Sequence, residues 1–131
     1  MRITDYTIGL HHIGIPTADM EETLIFYTEL GFDVILTDKN PNNGKEVNFL
    51  RLGDLTIEVY ESEGEPAGKT GSIDHISINV NDIQSTYDFI ESRGLNNTAD
   101  EIHFLPFFEN GVKYFTIEGP NREKVEFTQT L

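Results

Sequence analysis

The chain passes twice through the same change of hydrophobic rhythm. Ile13 and Ile15 alternate with polar neighbours, the period of a half-buried strand; after Asp19 the apolar positions shift to helical spacing at Met20, Leu24 and Tyr27. The pattern returns further along. Ile76, Ile78 and Val80 alternate, and Ile83, Tyr87 and Ile90 follow at helical spacing after Asp82. Laid over residues 73–95 without a gap, residues 10–32 match at seven of 23 positions: His12/His75, Ile13/Ile76, Ile15/Ile78, Asp19/Asp82, Thr23/Thr86, Phe26/Phe89 and Gly31/Gly94. Such self-similarity marks a duplicated structural unit.

Each copy carries its own punctuation. Asp19 and Asp82 are placed as helix N-caps, and Glu22 completes a capping box in the first copy. Gly31 and Gly94 stand where a left-handed residue stops a helix. Strands are predicted afterwards at Phe32–Thr37, Glu46–Leu52 and Leu55–Tyr60, the last two joined by a Gly53-Asp54 hairpin turn. The second half repeats this at Ile102–Leu105, Val112–Glu118 and Lys124–Thr128. Each half therefore reads β-α-β-β-β, an α+β protein. Module 1 is expected over residues 8–60, a linker over the Gly-, Pro- and charge-rich 61–71, and module 2 over 72–131. A half this short can barely build its own core, so the modules are expected to pair as one domain, residues 1–131, around a curved mixed sheet.

Composition narrows the function. Asp and Glu number 23 against 9 Lys and Arg, a formal charge of −14, which disfavours phosphate backbones and anionic lipid. No nucleic-acid or membrane partner is expected; a small-molecule substrate is. The absence of cysteine removes disulfides, thiolate metal sites and cysteine nucleophiles. Neither a secretory signal pattern nor an apolar run near the ~18 residues of a membrane span occurs. The expected location is the cytoplasm.

Alternation then sorts the remaining chemistry. If Ile57 and Val59, like Val125 and Phe127, face the helices, Glu58 and Glu126 point to the opposite face of the sheet. The first strands place His12 and His75 on that same face. Two His and two Glu, one pair per repeat, suit a divalent metal accepting mixed nitrogen and oxygen ligands: nickel, zinc, cobalt, manganese or iron. Taken singly, each has an ordinary structural reading, as a hydrogen-bonded strand His or a surface Glu; their equivalence in the repeat is what points to a metal. An open coordination position would let a substrate with adjacent oxygens chelate, with a neighbouring carboxylate as base. His11 is expected to face away from His12, as structure or surface, with Asp74 in its place in the second half. His103 carries no pattern. The run Phe104-Leu105-Pro106-Phe107-Phe108 reads as core or subunit contact, with a pocket lining as the alternative.

Together, His12-Ile13-Gly14-Ile15 leading to Asp19, Phe26-Tyr27, Leu30-Gly31-Phe32, Glu58, His75 and Glu126 resemble the vicinal oxygen chelate superfamily of glyoxalases, bleomycin-resistance proteins and dioxygenases. Gly119-Pro120-Asn121 through Glu126 is similar to that family's closing D-P-x-G-x-x-x-E pattern, with Gly119 for the usual Asp and Arg122 for the usual Gly. The resemblance is nearest to metal-dependent glyoxalase I-like enzymes. It implies a lyase or isomerase (lactoylglutathione lyase-type) that holds nickel or zinc through His12, Glu58, His75 and Glu126. Glu126 would shuttle the proton, with Glu58 its counterpart across the metal. Pro16 and Ser62 stand where glutathione-using members carry Arg and Asn, so glutathione-independent variants are included. The alternatives are a methylmalonyl-CoA epimerase-like enzyme, suggested by His11 to Ile15 and Phe49 to Gly53, and a non-catalytic antibiotic-binding protein. Within the family the site lies in one chain or between two; a homodimer is expected.

Overall fold

The computed structural model describes residues 2–71 and 73–131; the expected start of module 2, Ser72, lies outside the described residues. The chain divides into two compact units, Met1–Pro66 and Ala67–Leu131, with the break inside the stretch of linker composition. Each unit is a four-stranded mixed sheet with one helix, the α+β class expected.

In the first unit, a short 3-10 turn (Ile3–Asp5) precedes β1 (Ile13–Thr17), α1 (Met20–Glu29), β2 (Asp33–Lys39), β3 (Glu46–Leu52) and β4 (Leu55–Glu61). The strand order is β1-β4-β3-β2, with β1 parallel to β4 and the rest antiparallel. Helix α1 starts where Asp19 Oδ1 accepts the Glu22 N–H at 2.9 Å. The expected capping box is not made: the Asp19 N–H donates to Thr17 Oγ1 at 2.9 Å, so Glu22 has no donor to reach back to. The helix ends in a Schellman pattern, with Phe32 N–H bonded to Tyr27 O and Gly31 at φ +98. The face it buries differs from the expected Met20, Leu24 and Tyr27: Thr23, Phe26 and Tyr27 are the buried residues. Phe26 and Phe32 each meet Tyr27 edge to face, and Leu50, Ile57 and Val59 of the sheet are fully buried.

The second unit repeats the plan with β5 (His75–Asn79), α2 (Ile83–Ser92), β6 (His103–Leu105), β7 (Val112–Glu118) and β8 (Lys124–Thr130), ordered β5-β8-β7-β6. Asp82 caps α2 through Ser85 N–H and Oγ, and Ile83 and Ile90 are buried as the spacing predicted. Phe115, stacked on Phe127 and edge-on to Tyr87, centres this core. The Phe104–Phe108 segment is not core. Phe104, Phe107 and Phe108 are all at least half exposed.

The two sheets differ at one edge. Strand β2 runs the length of β3, whereas β6 has three residues and pairs only with Val112 to Tyr114. Side chains serve the uncovered part of β7: Asn97 exchanges two hydrogen bonds with the Glu118 backbone, Thr98 donates to Thr116 O, and Asp100 accepts Thr116 N–H. Backbone groups that a longer strand would pair are thereby satisfied.

The turn before β8 shows a second local accommodation. The Glu123 carboxylate sits where a Cβ on residue 119 would be and accepts the Asn121 N–H at 2.8 Å, so a side chain at 119 would have to displace that carboxylate. Arg122 is held left-handed at φ +63, a conformation that costs an L side chain of order 1 kcal/mol. Arg122→Gly is therefore expected to stabilise the protein by about 0.5 kcal/mol after the flexibility Gly adds to the unfolded chain is counted. Urea unfolding should show a higher midpoint at unchanged slope; a lower midpoint would contradict the strain assignment.

Candidate functional site

The parallel pairings place the chemistry. In the first unit Gly14 lies opposite Glu58, and Ile57 and Val59 on either side are fully buried against the helix. Glu58 is forced onto the open face. His12, just before β1, turns its Nε2 to within 3.6 Å of Glu58 Oε1, with Phe49 edge-on to its ring at 5.5 Å. A groove of about 270 Å3 adjoins Glu58, lined also by Gly14, Lys45, Glu46, Tyr60 and Glu61.

The second unit repeats the pair. Ser77 lies opposite Glu126, between buried Val125 and Phe127, and His75 Nε2 stands 3.8 Å from Glu126 Oε2. A groove of about 350 Å3 contains both side chains together with Thr98, Asp100, Thr116 and Glu118. Acids predominate in each groove, which favours a cation there.

The structure thus brings His12 to Glu58 and His75 to Glu126. Among the described residues no group of three or more His, Cys, Asp or Glu placed to hold a metal occurs, so each unit by itself supplies a pair. The pairs suit a divalent ion. Metal bonds of about 2.1 Å put two donors roughly 3.0–3.4 Å apart at octahedral to tetrahedral angles. Separations of 3.6 and 3.8 Å exceed a hydrogen bond and would have to shorten by roughly 0.2–0.8 Å to close on an ion.

The other imidazole nitrogens are also held. His75 Nδ1 meets Asp74 Oδ2 at 3.0 Å, and Lys124 Nζ lies 3.3 Å from the other Asp74 oxygen. The His75 ring and then the Lys124 ammonium keep the Asp74 carboxyl below its ordinary range. A carboxylate behind a ligating His is a frequent device for fixing tautomer and ring orientation. In the first unit His12 Nδ1 meets His11 Nδ1 at 2.8 Å. The expectation that His11 faces away fails because β1 begins at Ile13, so strand alternation does not extend to residue 11. His11 and Asp74 occupy equivalent repeat positions and both contact the ring that follows them; that equivalence was the available signal.

His103 finds a partner as well. Its Nε2 is 2.7 Å from Asp100 Oδ1 and its ring lies against Tyr114. Asp100 follows Ala99, a left-handed residue at φ +53, and its second oxygen accepts Thr116 N–H at 2.8 Å. Partial burial pushes the Asp100 carboxyl up, but the His103 and Thr116 hydrogen bonds outweigh it and leave the group below its ordinary value.

Comparisons with known proteins show the family and the fold. The model of the Glyoxalase/Bleomycin resistance protein/Dioxygenase superfamily matches residues 9–127. The chain belongs to that superfamily. It is 32% identical over 124 residues, 92% of this chain and 96% of the relative, to the uncharacterized protein YwbC of Bacillus subtilis (strain 168). It is 25% identical to the mitochondrial methylmalonyl-CoA epimerase of Mus musculus over 70% of this chain and 57% of that protein. Its fold matches the fosfomycin resistance protein FosX of Listeria monocytogenes, solved with Mn(II) and sulfate, at a TM-score of 0.68 and 15% identity, covering 94% and 93% of the two chains.

A carboxyl held below its ordinary value contributes stability above the unfolded-state value of about 3.9, lost as pH falls through the lower folded value. Asp100→Asn should therefore be less stable than wild type at neutral pH, the gap narrowing as pH is lowered below about 4. Circular dichroism across an acid titration checks this; a gap that persists unchanged at low pH would contradict it.

Proposed function

We propose that the protein is a metal-dependent lyase or isomerase of the glyoxalase type, acting by proton transfer on a small α-oxo compound or its thiol adduct. The observation that carries this reading is the duplicated His–Glu pair, built twice from unrelated neighbouring side chains at repeat-equivalent positions. His12, Glu58, His75 and Glu126 are the proposed ligands, two imidazoles and two carboxylates. Nickel or zinc is the proposed ion, with manganese, cobalt and iron compatible with the same donors. FosX, a fold relative, was solved with Mn(II).

A bound divalent ion would supply Lewis-acid polarisation of adjacent substrate oxygens. The residues do the rest. Glu126 removes the proton from the carbon beside the carbonyl and returns it to the neighbouring carbon, so no oxidant or reductant is consumed. Glu58, nearer to bulk solvent in its own groove, is the second catalytic acid. Asp74 and His11 keep the two rings turned with Nε2 toward the carboxylates.

The similarity to a methylmalonyl-CoA epimerase supports a second reading, epimerisation by the same proton abstraction. An assay with a 2-oxoaldehyde and a small thiol, run beside deuterium exchange into a methylmalonyl thioester, separates the two. We further propose a homodimer, in keeping with the apolar exposure of Ile3, Tyr6, Ile8 and Leu10. Light scattering that shows only monomer would end that proposal. No helix among the described residues is long and apolar enough to cross a membrane, and a cysteine-free chain is compatible with the proposed cytoplasmic location.

The two acids give the sharpest test. Glu126→Gln should lower turnover by about 10²–10⁴-fold while much of the metal stays bound. Glu58→Gln should act mainly on metal affinity and recover partly in excess metal. Metal content and turnover of Glu126→Gln equal to wild type would remove the basis of the ligand assignment.

A further inference from the structure

The two carboxylates are held very differently. Glu126 Oε1 lies 2.9 Å from Ser77 Oγ and 2.7 Å from Thr128 Oγ1, and the two hydroxyl oxygens are 2.6 Å apart, so the two hydroxyl hydrogens are shared among three contacts that centre on this carboxylate oxygen. Ser77 is the register partner of Glu126 on β5, and Thr128 is two residues along β8, so all three side chains share the open face. Both hydroxyls converge on one oxygen. The other, Oε2, is the one turned to His75. The first unit has the same backbone without the clamp: Gly14 is the register partner of Glu58, and Tyr60 is two residues along β4. Among the described residues His12 is the only side chain paired with Glu58.

We infer that Ser77 and Thr128 are positioning residues that commit one oxygen of Glu126 to the protein and present the other, in a fixed direction, to the metal and the transferred proton. The inference rests on the proposed metal-binding reading. A carboxylate free to rotate coordinates through either oxygen or both; one clamped through Oε1 binds through Oε2 alone and keeps its alignment when the substrate arrives. Alignment of this kind is what a general base needs. Neither hydroxyl serves the core, since both lie on the face away from α2. Their loss should therefore leave the fold intact.

The test uses the full chain and Co(II) alone, whose visible spectrum reports the number and arrangement of its ligands. Wild type, Ser77→Ala, Thr128→Val, the double variant and the conservative Ser77→Thr are titrated with Co(II) against a competing chelator. Thermal unfolding of the metal-free proteins is followed in parallel. The double variant should bind Co(II) about 10–100-fold more weakly, with an altered spectrum and an unchanged metal-free melting temperature. Ser77→Thr, which keeps the hydroxyl, should return most of the affinity lost in Ser77→Ala. If wild type binds Co(II) and the double variant binds it equally well with the same spectrum, the clamp is overturned while the metal reading stands. A metal-free melting temperature that falls in step with affinity would also overturn it, by making the hydroxyls structural. If wild type itself takes no Co(II), the metal reading fails and takes this inference with it.

Discussion

Everything at the site depends on the parallel pairing of the first strand of each unit with its last, β1 with β4 and β5 with β8. That pairing drives Ile57 and Val59, and Val125 and Phe127, into the two cores, and the two-residue period then leaves Glu58 and Glu126 on the opposite face. The same register brings the chain before β1 and the start of β5 alongside, which is why His12 and His75 end up beside those acids. A slip of one residue would bury both carboxylates and expose the apolar side chains. Hydrophobic burial, which has no chemistry of its own, therefore fixes the donor geometry.

On this common frame the two halves have diverged. The ring nitrogen behind His12 is met by His11, and the one behind His75 by Asp74 braced on Lys124. Opposite the acids stand Gly14 in one unit and Ser77 in the other. Phe26 is buried in α1, while its equivalent Phe89 is exposed under the Arg93 guanidinium at 4.9 Å. At the sheet edge, full-length β2 corresponds to a three-residue β6 supplemented by Asn97, Thr98 and Asp100. Duplication preserved what the fold and the His–Glu pairs require and released the rest.

Much of this was legible in the sequence. The β-α-β-β-β order, both N-caps, both glycine stops and the strands Glu46–Leu52 and Val112–Glu118 followed from periodicity and turn residues, because those signals are local. The outward direction of Glu58 and Glu126 followed from alternation alone. Alternation failed where no strand exists, at His11, and the capping box failed because Thr17, buried upstream, claimed the Asp19 N–H. The Asp100–His103 pair and the shortened β6 were out of reach: loop side chains replaced a strand there, and no period marks such a replacement. Ser77 and Thr128 were readable in principle, since both have the parity of the open face. Only the pairing register between β5 and β8 shows that they converge on one oxygen.

The proposed ligands His12, Glu58, His75 and Glu126 would together hold one divalent ion. The most direct measurement is elemental analysis of untagged protein as purified, followed by titration of the metal-free protein with zinc or nickel. Binding should saturate at one ion per chain. Less than about a tenth of an equivalent as purified, with none taken up on titration, would contradict it.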